Sequence, residues 1–207
     1  MLWIALAAAA AQFNAPAAVN ILNLYRYEDV PVQSLPHEFD GTVTIRLTVR
    51  PDGQVQTCEI EVPTRIRQLD TLTCDIARRR AKFAAARPGA GTPTYAVYRA
   101  RVRWVVTASP DLKQSTPFAD LEVRVSRLPP GIKSPRAVSL KFNVDEQGHP
   151  SFCSSEELPG RLGKNDPELV RIGCDELLKS YVASPAKDEV GKPVPSLQDA
   201  VVVFAAP

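Results

Sequence analysis

Apolar and polar positions alternate twice along this chain in the same way. Val43, Ile45, Leu47 and Val49 are separated by Thr44, Arg46 and Thr48; further on, Val138, Leu140, Phe142 and Val144 are separated by Ser139, Lys141 and Asn143. A period of two predicts a half-buried strand in each place, apolar on one face and polar on the other. Both are followed by a tight turn, "RPDGQ" and "DEQGHP", and then by a second strand, along which Cys58, Ile60 and Val62 alternate in the first half. Asp-Gly at 52–53 is a hairpin signal, since Gly accepts the positive φ that such turns need. The period then lengthens. Leu69, Leu72, Ile76 and Phe83 fall at helical spacings, and Asp166-Pro167 reads as an N-cap followed by the first helical residue of a second helix. "GTP" and "GKP" break the chain before a last strand in each half. In the first half this is "YRARVRWVV", with Tyr98, Ala100, Val102 and Trp104 on one face and Arg99, Arg101 and Arg103 on the other; in the second it is "SLQDAVVVFAA", which has no cationic stripe.

The two halves keep a common register. An offset of 95 takes Val43 to Val138, Gly53 to Gly148 and Cys58 to Cys153; an offset of 100 takes Cys74-Asp75 to Cys174-Asp175, Gly91 to Gly191, Pro93 to Pro193 and Trp104 to Phe204. A single five-residue insertion between the paired cysteines accounts for the change, so the chain reads as a tandem duplication. The expected fold class is α+β: two tandem small domains, each a helix packed on a three-stranded antiparallel sheet in the order β-β-α-β, over residues 27–107 and 118–206. The stretch 108–117, "SPDLKQSTP" with its preceding Ala, reads as an extended join because Ser-Pro and Thr-Pro disfavour helix.

Four cysteines, none in a C-x-x-C pair, point to disulfides in an oxidising compartment rather than to zinc or redox chemistry. The repeat favours pairing within each half, Cys58 with Cys74 and Cys153 with Cys174; four buried free thiols are the alternative. Each bridge would tie a helix to its sheet, worth on the order of 3 kcal/mol for loops of this size, in units of 70 to 80 residues that bury little apolar surface alone.

The run Leu2–Ala11 is apolar, and Ala9-Ala10-Ala11 has the small-residue pattern of a cleavage site. Ten helical residues span roughly 15 Å, about half a bilayer core, so residues 1–11 read as a signal peptide rather than an anchor. No basic residue precedes the run, and a buried N-terminal helix is the other reading. The expected location is the periplasm.

Composition adds exclusions. Net charge is +2, with hydrophobic residues at 44%, which speaks for a globular chain and gives no case for nucleic acid. Charge is unevenly shared: residues 41–107 hold 12 Lys and Arg against 5 Asp and Glu, and residues 138–206 hold 7 against 11. Such asymmetry steers the halves toward one another or aims the first at an acidic partner, with anionic glycans or lipid head groups as options. There is no G-x-S-x-G, H-E-x-x-H or Gly-rich phosphate loop; His37, His149, Glu156-Glu157 and Asp188-Glu189 read as solvated loop residues. No catalytic site, cofactor or metal is expected.

The order "DGTVTIRLTVRPDGQVQTCEIE…LDTLTCDIARRRAKFAAARPGAGTPTYAVYRARVRWVV" resembles the TonB C-terminal domain family. That family is marked by a G-x-V-x-[VI]-x-[LF]-x-V strand, a D/G turn, V-x-x-C or its equivalent, a helix ending in Phe-x-P-A, then G-x-P and an aromatic-bearing last strand. The resemblance covers 27–107 well and 118–206 more loosely: Ala85 stands at the Pro of Phe-x-P-A, and Ala183 at the Phe position of the second half. It implies a domain whose last strand lies at a sheet edge and captures a short segment of an outer-membrane receptor or other envelope protein by strand addition. On that reading the peptide-binding edge is Arg99, Arg101, Arg103 and Val105, serving transmembrane transport without an inner-membrane helix or spacer of its own. The other reading is a structural envelope protein whose edge strands serve domain packing or a homodimer, with no peptide ligand. The bare strand of the second half is expected to be covered by the first half or by a dimer mate.

Overall fold

A computed structural model describes residues 24–35, 39–88, 91–106, 119–155 and 165–207. The predicted leader, His37, the join at 108–117 and Glu156-Glu157 lie outside them. The fold is mixed α+β. The first half comprises β1 (Asp40–Val49), β2 (Val55–Val62), α1 (Arg67–Arg80) and β3 (Tyr95–Val105). The second begins with a short strand, β4 (Leu121–Arg124), and continues with β5 (Arg136–Val144), β6 (Pro150–Ser155), α2 (Pro167–Ser180), the two-residue strands β7 (Ala186–Lys187) and β8 (Pro193–Val194), and β9 (Ser196–Ala205).

Each half keeps the expected strand–strand–helix–strand order, but the two three-stranded sheets are not separate. They join into one sheet of order β2-β1-β3-β9-β5-β6, with β4 also paired to β9. Apart from β4, which lies parallel on β9, the pairing within each half is antiparallel; β3 and β9, the two last strands, run parallel where they meet, at Tyr95↔Ser196 and Ala96↔Leu197.

This junction fixes where the helices lie. Residues paired across a parallel ladder share a face, and Leu197 packs in the core beneath α1 while Val202 and Phe204, of opposite parity, pack beneath α2. The helices therefore cover opposite faces of one sheet. The sequence correspondence between the halves is 100 at this point, whereas the pairing offset is 101. With a side-chain period of two, that one residue turns corresponding side chains to opposite faces. The halves are related by an approximate twofold axis along the strands.

Both cores are built alike. Val43, Ile45, Leu47 and Val49 are buried under α1 with Leu69 and Ile76; Val138, Leu140, Phe142 and Val144 are buried under α2 with Leu169 and Leu177. Cys58–Cys74 and Cys153–Cys174 are disulfides, each with Cα atoms 5.5 Å apart, and each joins a helix to the strand just before it, β2 to α1 and β6 to α2. The helix caps differ. Asp166 Oδ1 accepts the N–H of Glu168 at 2.9 Å and of Leu169 at 3.2 Å, as its position before Pro167 predicts. At α1 the residue before the helix, Ile66, offers no side-chain cap. Buried Asp70 instead reaches back and accepts from both the N–H and the hydroxyl of Thr64, each at 2.8 Å.

The hairpin glycines answer why both halves write the same turn. Gly53 and Gly148 have φ of 83° and 90°. Their carbonyls accept the N–H of Phe83 and Ala183, the chain leaving each helix, both at 3.0 Å. A Cβ at either glycine would sit 2.0 Å from Phe83 O or 2.3 Å from Ala183 O. Side chain and backbone are both refused there. Gly53→Ala is expected to cost roughly 2–4 kcal/mol, combining the φ penalty with the displaced strap. Gly191→Ala, also at positive φ but with nothing within 4 Å of its Cβ, is expected to cost about 1 kcal/mol. Urea midpoints of the two variants check the difference.

Candidate functional site

The site is built along β3. Its even-numbered residues face α1: Val102 and Trp104 are buried, and the Trp104 indole N–H donates to Thr73 Oγ1 at 2.8 Å. Its main-chain polarity alternates as well. Val106 N–H donates to Phe39 O at 2.9 Å, so even-numbered residues bond β1, and Val97, Arg99, Arg101, Arg103 and Val105 turn N–H and C=O away from β1. On that outer side β9 is laddered only to Tyr95 and Ala96. Among the described residues no strand pairs with Val102–Val105 there.

β9 shows what such an edge accepts. Its residues Val202–Ala205, which correspond to Val102–Val105, are laddered in parallel to β4 as Leu121↔Val202, Glu122↔Val203, Val123↔Phe204 and Arg124↔Ala205. The ladder is bounded by Asp120 N–H to Val201 O at 2.8 Å and Val125 N–H to Ala205 O at 3.0 Å. Leu121 and Val123 pack against the core under α2, and Glu122 and Arg124 are exposed. The bare last strand of the second half is thus covered by the chain itself, at its start by β3 and at its end by β4. The segment of the first half at the place of β4 behaves differently. Tyr27–Asp29 is a single 3-10 turn, pinned to α1 by the Arg80 guanidinium on both oxygens of Asp29 at 2.6 and 2.8 Å. That contact holds the Asp29 carboxyl below its ordinary range. Nearby, Tyr25 lies edge-on to Trp104 and donates to Thr73 O at 3.2 Å; burial raises its phenol above the usual value.

The three arginines of the predicted edge have distinct surroundings. Arg99 is only a quarter exposed and joins the halves: it pairs with Glu61 on β2 at 2.9 Å and with Asp120 at the start of β4. Asp120, its side chain 5% exposed, also accepts the N–H of Val201 at 2.8 Å. Arg103, with 42% of its side chain exposed, lies against Asp40 of β1, its Nε donating at 2.7 Å, and lowers the Asp40 pKa. Arg101 is exposed and Val105 half-buried. Arg99 departs most from the pattern-based view of an open cationic stripe, because its partner Asp120 comes from beyond the strand. Beside it, a cavity of about 80 Å³ between the halves is lined by Arg46, Glu61, Val97, Tyr181, Gln198 and Asp199 among others. The segment after α2 closes over this face: Arg46 donates to Ser184 O at 2.7 Å, Arg50 pairs with Glu189 at 2.7 Å, and Gln56 donates to Lys187 O at 3.0 Å.

β4 was missed by pattern reading, although Leu121, Val123 and Val125 alternate with Glu122 and Arg124. Five residues of alternation before a Pro-rich loop are a weak signal. His149 sits in the hairpin turn, its ring nitrogen 3.1 Å from Asp145. Among the described residues there is no group of three or more His, Cys, Asp or Glu that could hold a metal, and no helix long and apolar enough to cross a membrane.

Taken by itself, the first half is three antiparallel strands with α1 on one face, and its last strand, β3, meets β9 over two residue pairs. Residues 31–106 match the family described as Gram-negative bacterial TonB protein C-terminal. The match covers that first half alone, and the family it points to is one of envelope-associated interaction domains. No curated protein and no solved structure matches the chain.

Proposed function

We propose that this protein works in the periplasm, after removal of its leader, and holds an extended segment of an outer-membrane receptor or another envelope protein as a strand added to the outer side of β3, around Arg99, Arg101, Arg103 and Val105. The observation that carries this reading is β4 on β9. The corresponding edge of the second half already accepts a parallel strand of alternating apolar and polar residues. By the same geometry the partner runs parallel to β3, with apolar side chains toward Trp104 and polar ones on the face of Arg103. An acidic residue at the place of Glu122 would meet Arg103, a cross-strand pair worth about 0.2–1 kcal/mol. Main-chain bonds supply the rest, so the partner's sequence need only be permissive.

The structural reading, in which the last strands serve packing alone, is favoured by one observation: β3 and β9 do pair with each other. Val105→Pro separates the two. Val105 N–H is not used by β1, so the variant is expected to fold with a midpoint close to that of the parent. Loss of one main-chain bond, at about 1–1.5 kcal/mol, predicts roughly tenfold weaker binding of a peptide with alternating apolar and acidic residues. Calorimetric titration checks it. Equal affinity of parent and variant removes β3 as the site; no binding by the parent leaves the structural reading.

A further inference from the structure

The two helices face opposite ways, and their solvent faces differ in charge. On α1, Arg67, Gln68, Thr71, Arg78 and Arg79 are exposed, with Asp75 half-buried among them. At 100° per residue these positions occupy about a third of the helix circumference, and Arg67 and Arg78 lie about 17 Å apart along it. Arg65, just before the helix, is also exposed. Among these α1 positions Asp75 is the one acidic residue, and it is paired with Arg78 at 2.6 Å. On α2 the exposed positions Glu168, Arg171, Asp175, Leu178 and Lys179 are mixed in charge.

We propose that the outward face of α1 is an electrostatic docking surface for a membrane carrying anionic phospholipid, with Arg65, Arg67, Arg78 and Arg79 meeting the head-group phosphates. Three features favour a lipid surface over a protein partner. No large hydrophobic side chain is exposed on α1; those exposed among the described residues lie elsewhere, such as Phe152, Val182 and Val190. The face therefore lacks the apolar anchor around which protein interfaces gain their affinity. The arginines sit at the two ends of the helix, Arg65 and Arg67 at its start and Arg78 and Arg79 at its end, a spacing that suits separate phosphates of a planar array. Guanidinium groups bind phosphate bidentately and are weakly hydrated. The envelope association of the family puts such a surface within reach. β3 is not used, so partner-peptide binding and lipid docking are separate properties.

The test is sedimentation of the full chain with vesicles of phosphatidylcholine containing 30% phosphatidylglycerol, against vesicles of phosphatidylcholine alone. Expected is binding to the anionic vesicles at low salt, at least tenfold weaker at half-molar salt, since exposed charges are screened. The neutral vesicles should bind no more than background. The triple variant Arg67→Glu, Arg78→Glu, Arg79→Glu is expected to lose at least tenfold in partition while keeping the parent's melting temperature within a few degrees. The double variant Arg171→Glu, Lys179→Glu on α2 should bind like the parent. Equal binding to neutral vesicles would overturn the proposal by pointing to the apolar N-terminal run. An unchanged partition of the triple variant, or tighter binding of parent protein to duplex DNA than to the anionic vesicles, would overturn it as well.

Discussion

Trp104→Ala is expected to lower the stability of the protein by about 4 kcal/mol, within the roughly 3–5 kcal/mol typical of deleting a large buried aromatic. Trp104 is 3% exposed and stands edge-on to Tyr25 with ring centres 5.7 Å apart. Its indole N–H donates to Thr73 Oγ1, and that hydroxyl, fully buried, donates in turn to Leu69 O at 2.7 Å. Truncation opens a cavity between β3 and α1 and leaves the Thr73 oxygen without its donor, so transfer, cavity and polar terms add. Trp104→Phe keeps most of the apolar volume and loses only the hydrogen bond, with an expected cost near 1–2 kcal/mol. The second half supports this reading of shape. Where Trp104 meets Thr73, the corresponding Phe204 meets Gly173, whose Cβ would lie 3.3 Å from the Phe204 ring. Denaturant titration followed by far-ultraviolet circular dichroism gives both values, and a loss below about 2 kcal/mol for Trp104→Ala would contradict the account.

Asp120→Ala is expected to cost about 2–4 kcal/mol and to loosen the two halves from each other. β3 and β9 share a ladder of only two residue pairs. Beside that short seam, Asp120 is held by Arg99 from the first half and by Val201 N–H from the second. Removing the carboxylate takes one ion-pair partner from Arg99 and leaves the Val201 N–H without its acceptor. The Coulomb term is discounted for the partial exposure of Arg99, and most of the cost comes from the groups left behind. Scanning calorimetry of the parent should show one transition. The variant should show two, because each half retains its own core and disulfide. A single transition, shifted by less than about 1 kcal/mol, would show that the seam holds without the clamp.

These two sites mark where the sequence was and was not informative. The buried face of β1, β3 and β5 follows from period-two alternation, and α2 from Asp166-Pro167, because burial on one face and local capping are short-range constraints. The disulfide pairs follow from cysteine spacing within a repeated register. Trp104 is likewise placed by parity. The fusion of the two sheets has no local signature, since the meeting of β3 with β9 at an offset of 101 is set by packing of whole halves. The environment of Arg99 depends on that fusion. Its alternation with Tyr98 and Ala100 gives its face correctly, yet its partner Asp120 belongs to a strand too short for the pattern to reveal. The start of α1 was hidden for a related reason, because Asp70 caps backward onto Thr64 from inside the helix rather than from the N-cap position.

The separation of the family-matched half from the rest also bears on how binding would be regulated by stability. The first half carries the proposed strand-pairing edge and the larger share of basic residues, and the second presses its β7–β8 segment over the polar face of β1 and β2 through Ser184, Lys187 and Glu189. A loosened seam should therefore change the rigidity of the edge before it changes the core beneath α1. Peptide affinity and stability of the Asp120→Ala variant are expected to fall together, whereas in Val105→Pro only affinity falls.

Amide chemical-shift mapping of the isotope-labelled protein during titration with an outer-membrane receptor peptide, alternating in apolar and acidic residues, tests the central claim most directly. The predicted result is a set of saturable shifts concentrated at Arg101, Arg103 and Val105, whose N–H groups face away from β1, with newly slowed hydrogen exchange at Arg103 and Val105. Cross-strand contacts should place the peptide parallel to β3, as β4 lies on β9. Shifts confined to the outer strands β2 or β6, or no saturable shift at any amide, would contradict it.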